Sequence, residues 1–170
     1  VDKGDGTVFD SDTALMWTAD ADVTDMKIPW QVAMDYIAKM NSGERPNFGY
    51  SDWRMPTIEE LGTLIDKSGN PGLPSDSPFT DMKRSFYWSS STGFNVVGYV
   101  WVLDMESSNV VFDYISYCNF QRFWPVRGGP EAAEKVKKAA PLSAPAMAGI
   151  TSGDVCTDRG KVAAPADIKP

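Results

Sequence analysis

The chain has 170 residues, a net charge of −7, two Cys, no His, and six Trp, six Tyr and eight Phe, enough apolar mass for one core of about 125 residues. Without His the usual nucleophile and base pairs are missing, and without a Cys-x-x-Cys spacing there is no zinc or redox motif. No apolar run approaches the roughly 20 residues of a membrane-spanning helix, since the best stretch, Val96 to Leu103, is broken by Gly98 and ends at Asp104.

In chain order, Thr7 to Phe9 and Ala14 to Trp17 read as two short strands joined by a turn at Asp10, Ser11 and Asp12, whose side chains suit bonds to neighbouring amides. Asp20, Asp22 and Asp25 are the candidate metal ligands. A calcium loop opening at Asp20 calls for Gly at position 25 and Glu at position 31, where Asp25 and Gln31 stand, so no metal or other cofactor is expected. From Pro29 to Met40 the pattern is helical, with Pro29 in the first turn and Trp30, Ala33, Met34 and Ile37 on one face. A second helix starts at a capping box of Thr57 and Glu60, buries Ile58, Leu61, Leu64 and Ile65, and has Gly69 as its stop.

After Gly72 a loop rich in Pro, Ser and Asp leads to four strands, Phe86 to Ser90, Val96 to Leu103, Val110 to Ile115 and Phe120 to Val126. The middle two form a hairpin, because apolar and polar positions alternate in each and the polar run Met105 to Asn109 separates them. Ser89, Ser90 and Ser91 are read as exposed strand residues rather than nucleophiles, and no pair of acids stands out by its spacing, so the chain is not expected to be an enzyme. Two helices followed by a curled antiparallel sheet make an α+β head over residues 1–129.

Every aromatic residue lies between Phe9 and Trp124, and residues 130–170 form a tail of Ala, Pro, Gly, Ser and Lys. Charge divides at the same place, with 10 Lys or Arg against 18 Asp or Glu in residues 1–129 and 6 against 5 beyond. An acidic head with no basic cluster lacks the footprint that nucleic acid or sulfated glycans need. In the tail, Pro130 to Ala140 reads as a short helix supported by Glu131 to Lys135 and Glu134 to Lys138 pairs. A polyproline-like spacer follows, and then β-capable pieces around Ile150, Val155, Val162 and Ile168. Such isolated strands are unstable alone and gain hydrogen bonds by adding to a sheet edge. Cys118 near the end of the head and Cys156 in the tail fit an intrachain bridge, an interchain bridge or two free thiols.

At Gly49 to Asp66 (GYSDWRMPTIEELGTLID) the chain resembles the Lcl C-terminal domain family of bacterial secreted proteins. Further blocks agree in order: Gly4 to Trp17, Pro29 to Ile37, Phe86 to Thr92, Tyr99 to Glu106 and Phe123 to Gly129. The match covers residues 4–129 and none of the tail. The resemblance implies a C-type-lectin-like or sulfatase-modifying-factor-like fold, used for adhesion, glycan contact and display. The EPN, QPD and WND triplets of calcium-dependent sugar sites are absent, the nearest run being Arg45 to Asn47.

The motif residues Trp53, Arg54, Thr57, Glu60, Trp124 and Arg127 are read as structural. Arg54 is expected to pair with Asp52, Glu59 or a sheet carboxylate such as Asp104 while Trp53 packs beneath it. The chain begins at Val1, which fits a secreted protein whose leader has been removed and equally a trimmed chain. The expected function is that of an extracellular structural protein that self-assembles into a filament by tail-to-head contacts between copies. The alternative is a cell-surface adhesin or lectin-like module recognising a glycan or protein ligand.

Overall fold

The computed structural model describes residues 1–65, 72–92 and 97–128. Strands β1 (Thr7–Asp10) and β2 (Leu15–Thr18) form a hairpin in which Val8 faces Trp17. The acids between them do turn work: Asp10 accepts from the Asp12 amide at 3.0 Å and from the Thr13 hydroxyl at 2.6 Å.

Helix α1 (Trp30–Ser42) follows Pro29 and ends at Gly43, which takes φ 82° and donates its N–H to the Met40 carbonyl. Its buried residues are Ala33, Ile37 and Met40; Trp30 and Met34, expected on the same face, are only half-buried. Helix α2 (Ile58–Thr63) carries the expected capping box in full, with the Glu60 amide bonded to the Thr57 hydroxyl and the Thr57 amide bonded to the Glu60 carboxylate. Ile58, Leu61 and Leu64 are buried, and Ile65 packs against them. Gly69 lies outside the described residues.

Strands β3 (Phe86–Thr92), β4 (Tyr99–Asp104) and β5 (Asn109–Tyr114) form an antiparallel sheet in that order. The β4–β5 hairpin pairs Trp101 with Phe112 and Asp104 with Asn109. This sheet lies between two cores, so both of its faces are buried, and alternate residues go to opposite sides. Tyr87 and Leu103 join Trp17, Trp124 and the apolar side of α2; Trp88, Val100 and Val102 join Met16, Trp53 and the inner face of α1.

The expectation of one curled sheet closing the domain is corrected here. The chain makes two three-stranded antiparallel sheets, and the stretch from Phe120 to Val126 is not a strand of the second. Only β6 (Val126–Arg127) is strand, and it pairs with β2 in the first sheet. Before it, Gln121 and Arg122 make single bridges to Ile28 and Tyr87. The reason is that this segment crosses between the sheets. Phe123 plugs one core and Trp124 the other, and Pro125 has no N–H to give a ladder.

Candidate functional site

Two sheets have four edges, and described residues cover three of them. Val1 to Lys3 lie along β1, with Asp2 bridging Val8 and the Phe9 amide donating to the Val1 carbonyl at 2.9 Å. Arg54 bridges Val126 on the outer side of β6, through bonds of 2.9 and 3.0 Å. On β3, Trp88 donates to the Arg122 carbonyl and Ser90 to the Pro56 carbonyl, both at 2.8 Å. The fourth edge is β5, against which no described residue pairs as a strand.

The hairpin geometry says which groups this edge presents. The Ile115 amide donates to the Gly98 carbonyl at 2.8 Å, and in an antiparallel ladder the inward-bonded residues alternate. Asn109, Val111 and Asp113 therefore turn their backbone groups to β4, while Val110, Phe112 and Tyr114 turn theirs outward. Local partners take up those of Tyr114, whose N–H donates to the Asp113 carboxylate at 2.8 Å and whose carbonyl accepts from the Asn119 amide at 2.8 Å. The remaining residues on this side of β5 are thus Val110 and Phe112.

Asp113 also fixes what lies beside that edge. Its two oxygens accept from Asn119 Nδ2 at 2.8 Å and Gln121 Nε2 at 2.9 Å, which holds the turn from Ser116 to Phe120 against the end of β5. That turn carries Tyr117, 70% exposed, and Phe120, 48% exposed, next to Tyr114 at 45%. The Tyr114 ring lies 5.1 Å from that of Tyr99 and directly over Gly98, where a Cβ would meet it at 2.6 Å. Gly98 also has φ 88°, so both the backbone and the ring require glycine there. Nothing in the local pattern of the sequence marks Asp113, Asn119, Tyr117 or Phe120, because their grouping depends on where the turn folds back.

The surroundings of Arg54 are closed by contrast. Arg54 pairs with Glu60 through two bonds of 2.7 and 2.6 Å, and Glu60 is the same residue that caps α2. This corrects the expected partners Asp52, Glu59 and Asp104. The capping box had already turned Glu60 toward the helix start, within reach of Arg54 six positions earlier. Asp52 pairs instead with Arg127, at 2.6 and 3.1 Å, and the Arg127 guanidinium sits 4.0 Å from the centre of the Tyr50 ring. That pairing holds the Asp52 carboxyl below the usual carboxylate range. Trp53 is buried, with its indole N–H on the Asn47 carbonyl at 2.8 Å. Trp124 is buried edge-on to Trp17 and Phe79, and donates to the Thr18 carbonyl at 2.9 Å. All six motif residues have structural partners here.

Asp20, Asp22 and Asp25 are tied to one another as a turn: Asp20 accepts from the Asp22 amide and the Asp22 carbonyl from the Asp25 amide, each at 2.8 Å. Asp22 is buried and ion-paired with Arg122. Burial pushes its carboxyl up, against the opposing pull of the guanidinium. Among the described residues no group of three or more Cys, Asp or Glu is placed to hold a metal ion. Burial likewise pushes the Tyr87 phenol up to about 12, and its oxygen accepts from the Lys83 amide at 3.0 Å.

Of the three serines read as exposed, Ser89 is fully buried and donates to the Trp101 carbonyl at 2.6 Å, because β3 is covered on both faces at that point. Ser90 is exposed, and its hydroxyl donates to the Pro56 carbonyl at 3.1 Å. Cys118 is half-buried in the turn after β5. Cys156, the tail helix and the tail positions Ile150, Val155, Val162 and Ile168 lie outside the described residues, and Cys118 is not a free thiol.

These features define a mixed helix-and-sheet domain with two antiparallel sheets, two helices and one laterally open strand among the described residues. The chain belongs to the Lcl C-terminal domain family, whose model matches residues 6–127. No curated protein matches the chain. No described helix is long and apolar enough to cross a membrane.

Proposed function

We propose that the protein is a secreted structural protein that assembles into an extracellular filament through contacts between the tail of one copy and the head of the next. The observation that carries this reading is the β5 edge, the one sheet edge that described residues leave uncovered, rimmed by exposed aromatic side chains. Folded proteins normally protect such edges, because they template pairing with another chain. A tail-to-head contact is heterologous, so each added copy brings a new donor and a new acceptor, and the array stays open unless rotation closes a ring. A head of C-type-lectin-like architecture is part of the proposal, supported by the first hairpin pairing with the last strand, which joins the two ends of the head.

Deletion of everything after Gly129 tests this by negative-stain microscopy, with a thermal melt to show that the head remains folded. The full chain should give filaments and the truncated one separate particles. Filaments from the truncated head would sink the proposal. A second reading, a cell-surface adhesin or lectin-like module, draws on the same exposed Tyr114, Tyr117 and Phe120 beside the amides of Asn119 and Gln121. It predicts that ligand capture by the head survives tail deletion unchanged.

A further inference from the structure

We infer that the head holds one internal water molecule, shared by Asp22, Ser85 and Arg122, which fastens the segment crossing between the two sheets to the loop before α1.

Asp22 Oδ1, Ser85 Oγ and Arg122 Nε are buried and have no hydrogen-bond partner among the described residues. Strand register gathers them. Arg122 bridges Tyr87 in parallel, its amide donating to the Phe86 carbonyl at 3.0 Å and its carbonyl accepting from the Trp88 amide at 2.8 Å. The Arg122 and Tyr87 side chains therefore leave the same face of the sheet. Ser85 carries the β3–β4 ladder one step further, its carbonyl accepting from the Met105 amide at 3.0 Å, so its hydroxyl lies on the Tyr87 face too. Asp22 reaches that face through Arg122. Its Oδ2 is ion-paired with Nη1, which leaves Oδ1 on the same carboxylate and Nε on the same guanidinium. The Asp22 side chain is 2% exposed and that of Arg122 16%, so bulk solvent serves neither atom.

The donor set decides what fits. Arg122 Nε–H can only donate and the paired Asp22 carboxylate can only accept. A cation at this position would be repelled by the guanidinium, and an anion would face the carboxylate. Water accepts from one and donates to the other, and the Ser85 hydroxyl, which can do either, supplies a third contact. Buried waters in polar sites typically make about three hydrogen bonds. The Tyr87 phenol stands on the same face, and because its oxygen accepts from the Lys83 amide at 3.0 Å, its proton remains to be donated.

Such a water ties together three stretches far apart in the chain: the loop after β2, the approach to β3 and the crossing segment. It holds that segment immediately before Phe123 and Trp124, the two side chains that enter opposite cores.

A diffraction structure of the full chain, at a resolution that shows ordered solvent, should place a water about 2.7–3.2 Å from both Asp22 Oδ1 and Arg122 Nε. An Arg122 fork closing on both Asp22 oxygens with no such water, or an ion at that position, would overturn the inference. Full-length Ser85→Ala gives an independent readout by urea unfolding, because the two cases differ in sign. If the hydroxyl holds a water, its loss removes a hydrogen bond and should raise the unfolding constant roughly 5-fold. A hydroxyl buried with no partner costs stability instead. Its removal would then leave the unfolding constant unchanged or lower it, and that result would overturn the inference as well.

Discussion

The Arg54 end and the β5 end of the head are built from similar materials and are finished differently. At the Arg54 end an arginine, a capping glutamate, a helix start and an edge strand close on one another, so one residue, Glu60, serves both the Thr57 amide and the Arg54 guanidinium. At the β5 end the carboxylate of Asp113 organises a turn, but no described strand pairs with the side of β5 away from β4, and the aromatic rings around it are exposed. The contrast separates groups that hold the head together from groups available to meet something else.

Substitutions can break or sharpen that contrast. The largest loss of stability belongs to Trp124→Ala, which empties a fully buried site between Trp17 and Phe79 and also removes a hydrogen bond to Thr18. A cost of about 3–5 kcal/mol is expected in urea unfolding, with assembly lost only because the head unfolds. Glu60→Ala follows at about 2 kcal/mol, since it strands the Thr57 amide and the Arg54 guanidinium together, an effect moderated by the 38% exposure of the Arg54 side chain.

Arg122→Met leaves the buried Asp22 carboxylate without its cation. Desolvation already raises the Asp22 carboxyl in the folded state, and removing Arg122 takes away the pull that opposes it. An acid raised on folding contributes stability that is present below its unfolded value and is lost as pH rises through its folded one. The variant should therefore lose less stability at pH 4 than at pH 7; an equal loss at both would show that Asp22 and Arg122 are not coupled. Asp52→Asn has the opposite sign. The Asp52 carboxyl is lowered on folding, chiefly by its bond to Arg127, so its contribution is present above about pH 4 and disappears as pH falls. Because Asp52 is largely exposed, the expected loss at pH 7 is under about 1 kcal/mol, with a flatter acid limb in the melting curve.

The smallest effect on the head should come from the other end. Tyr117→Ala removes an exposed ring and should change unfolding by no more than about 0.5 kcal/mol, yet it should shorten filaments or raise the concentration at which they form. A Tyr117→Ala chain that assembles as well as the parent would mean that the rim plays no part in the contact.

Much of the fold was legible from residues close together in the chain. The turn at Asp10, the α1 start at Pro29, the Thr57–Glu60 box and the β4–β5 hairpin all depend on side chains meeting backbone groups two to four positions away, or on alternation along a single strand. Those interactions form wherever the segment is placed, which is why sequence alone determined them. It also separated an aromatic head from a tail with no aromatic residues.

The tertiary structure decided the partners. Asp52 meets Arg127 across 75 positions and Asp22 meets Arg122 across 100, and no spacing rule reaches that far. The same holds for the division into two sheets, which came from Phe123 and Trp124 entering opposite cores and from Pro125 interrupting the ladder between them. Whether a strand is an edge depends on what packs beside it, so the open side of β5 became visible only once the other three edges were seen to be covered. Local chemistry is short in range and travels with the segment, whereas ion pairs, sheet membership and edge exposure belong to the folded arrangement as a whole.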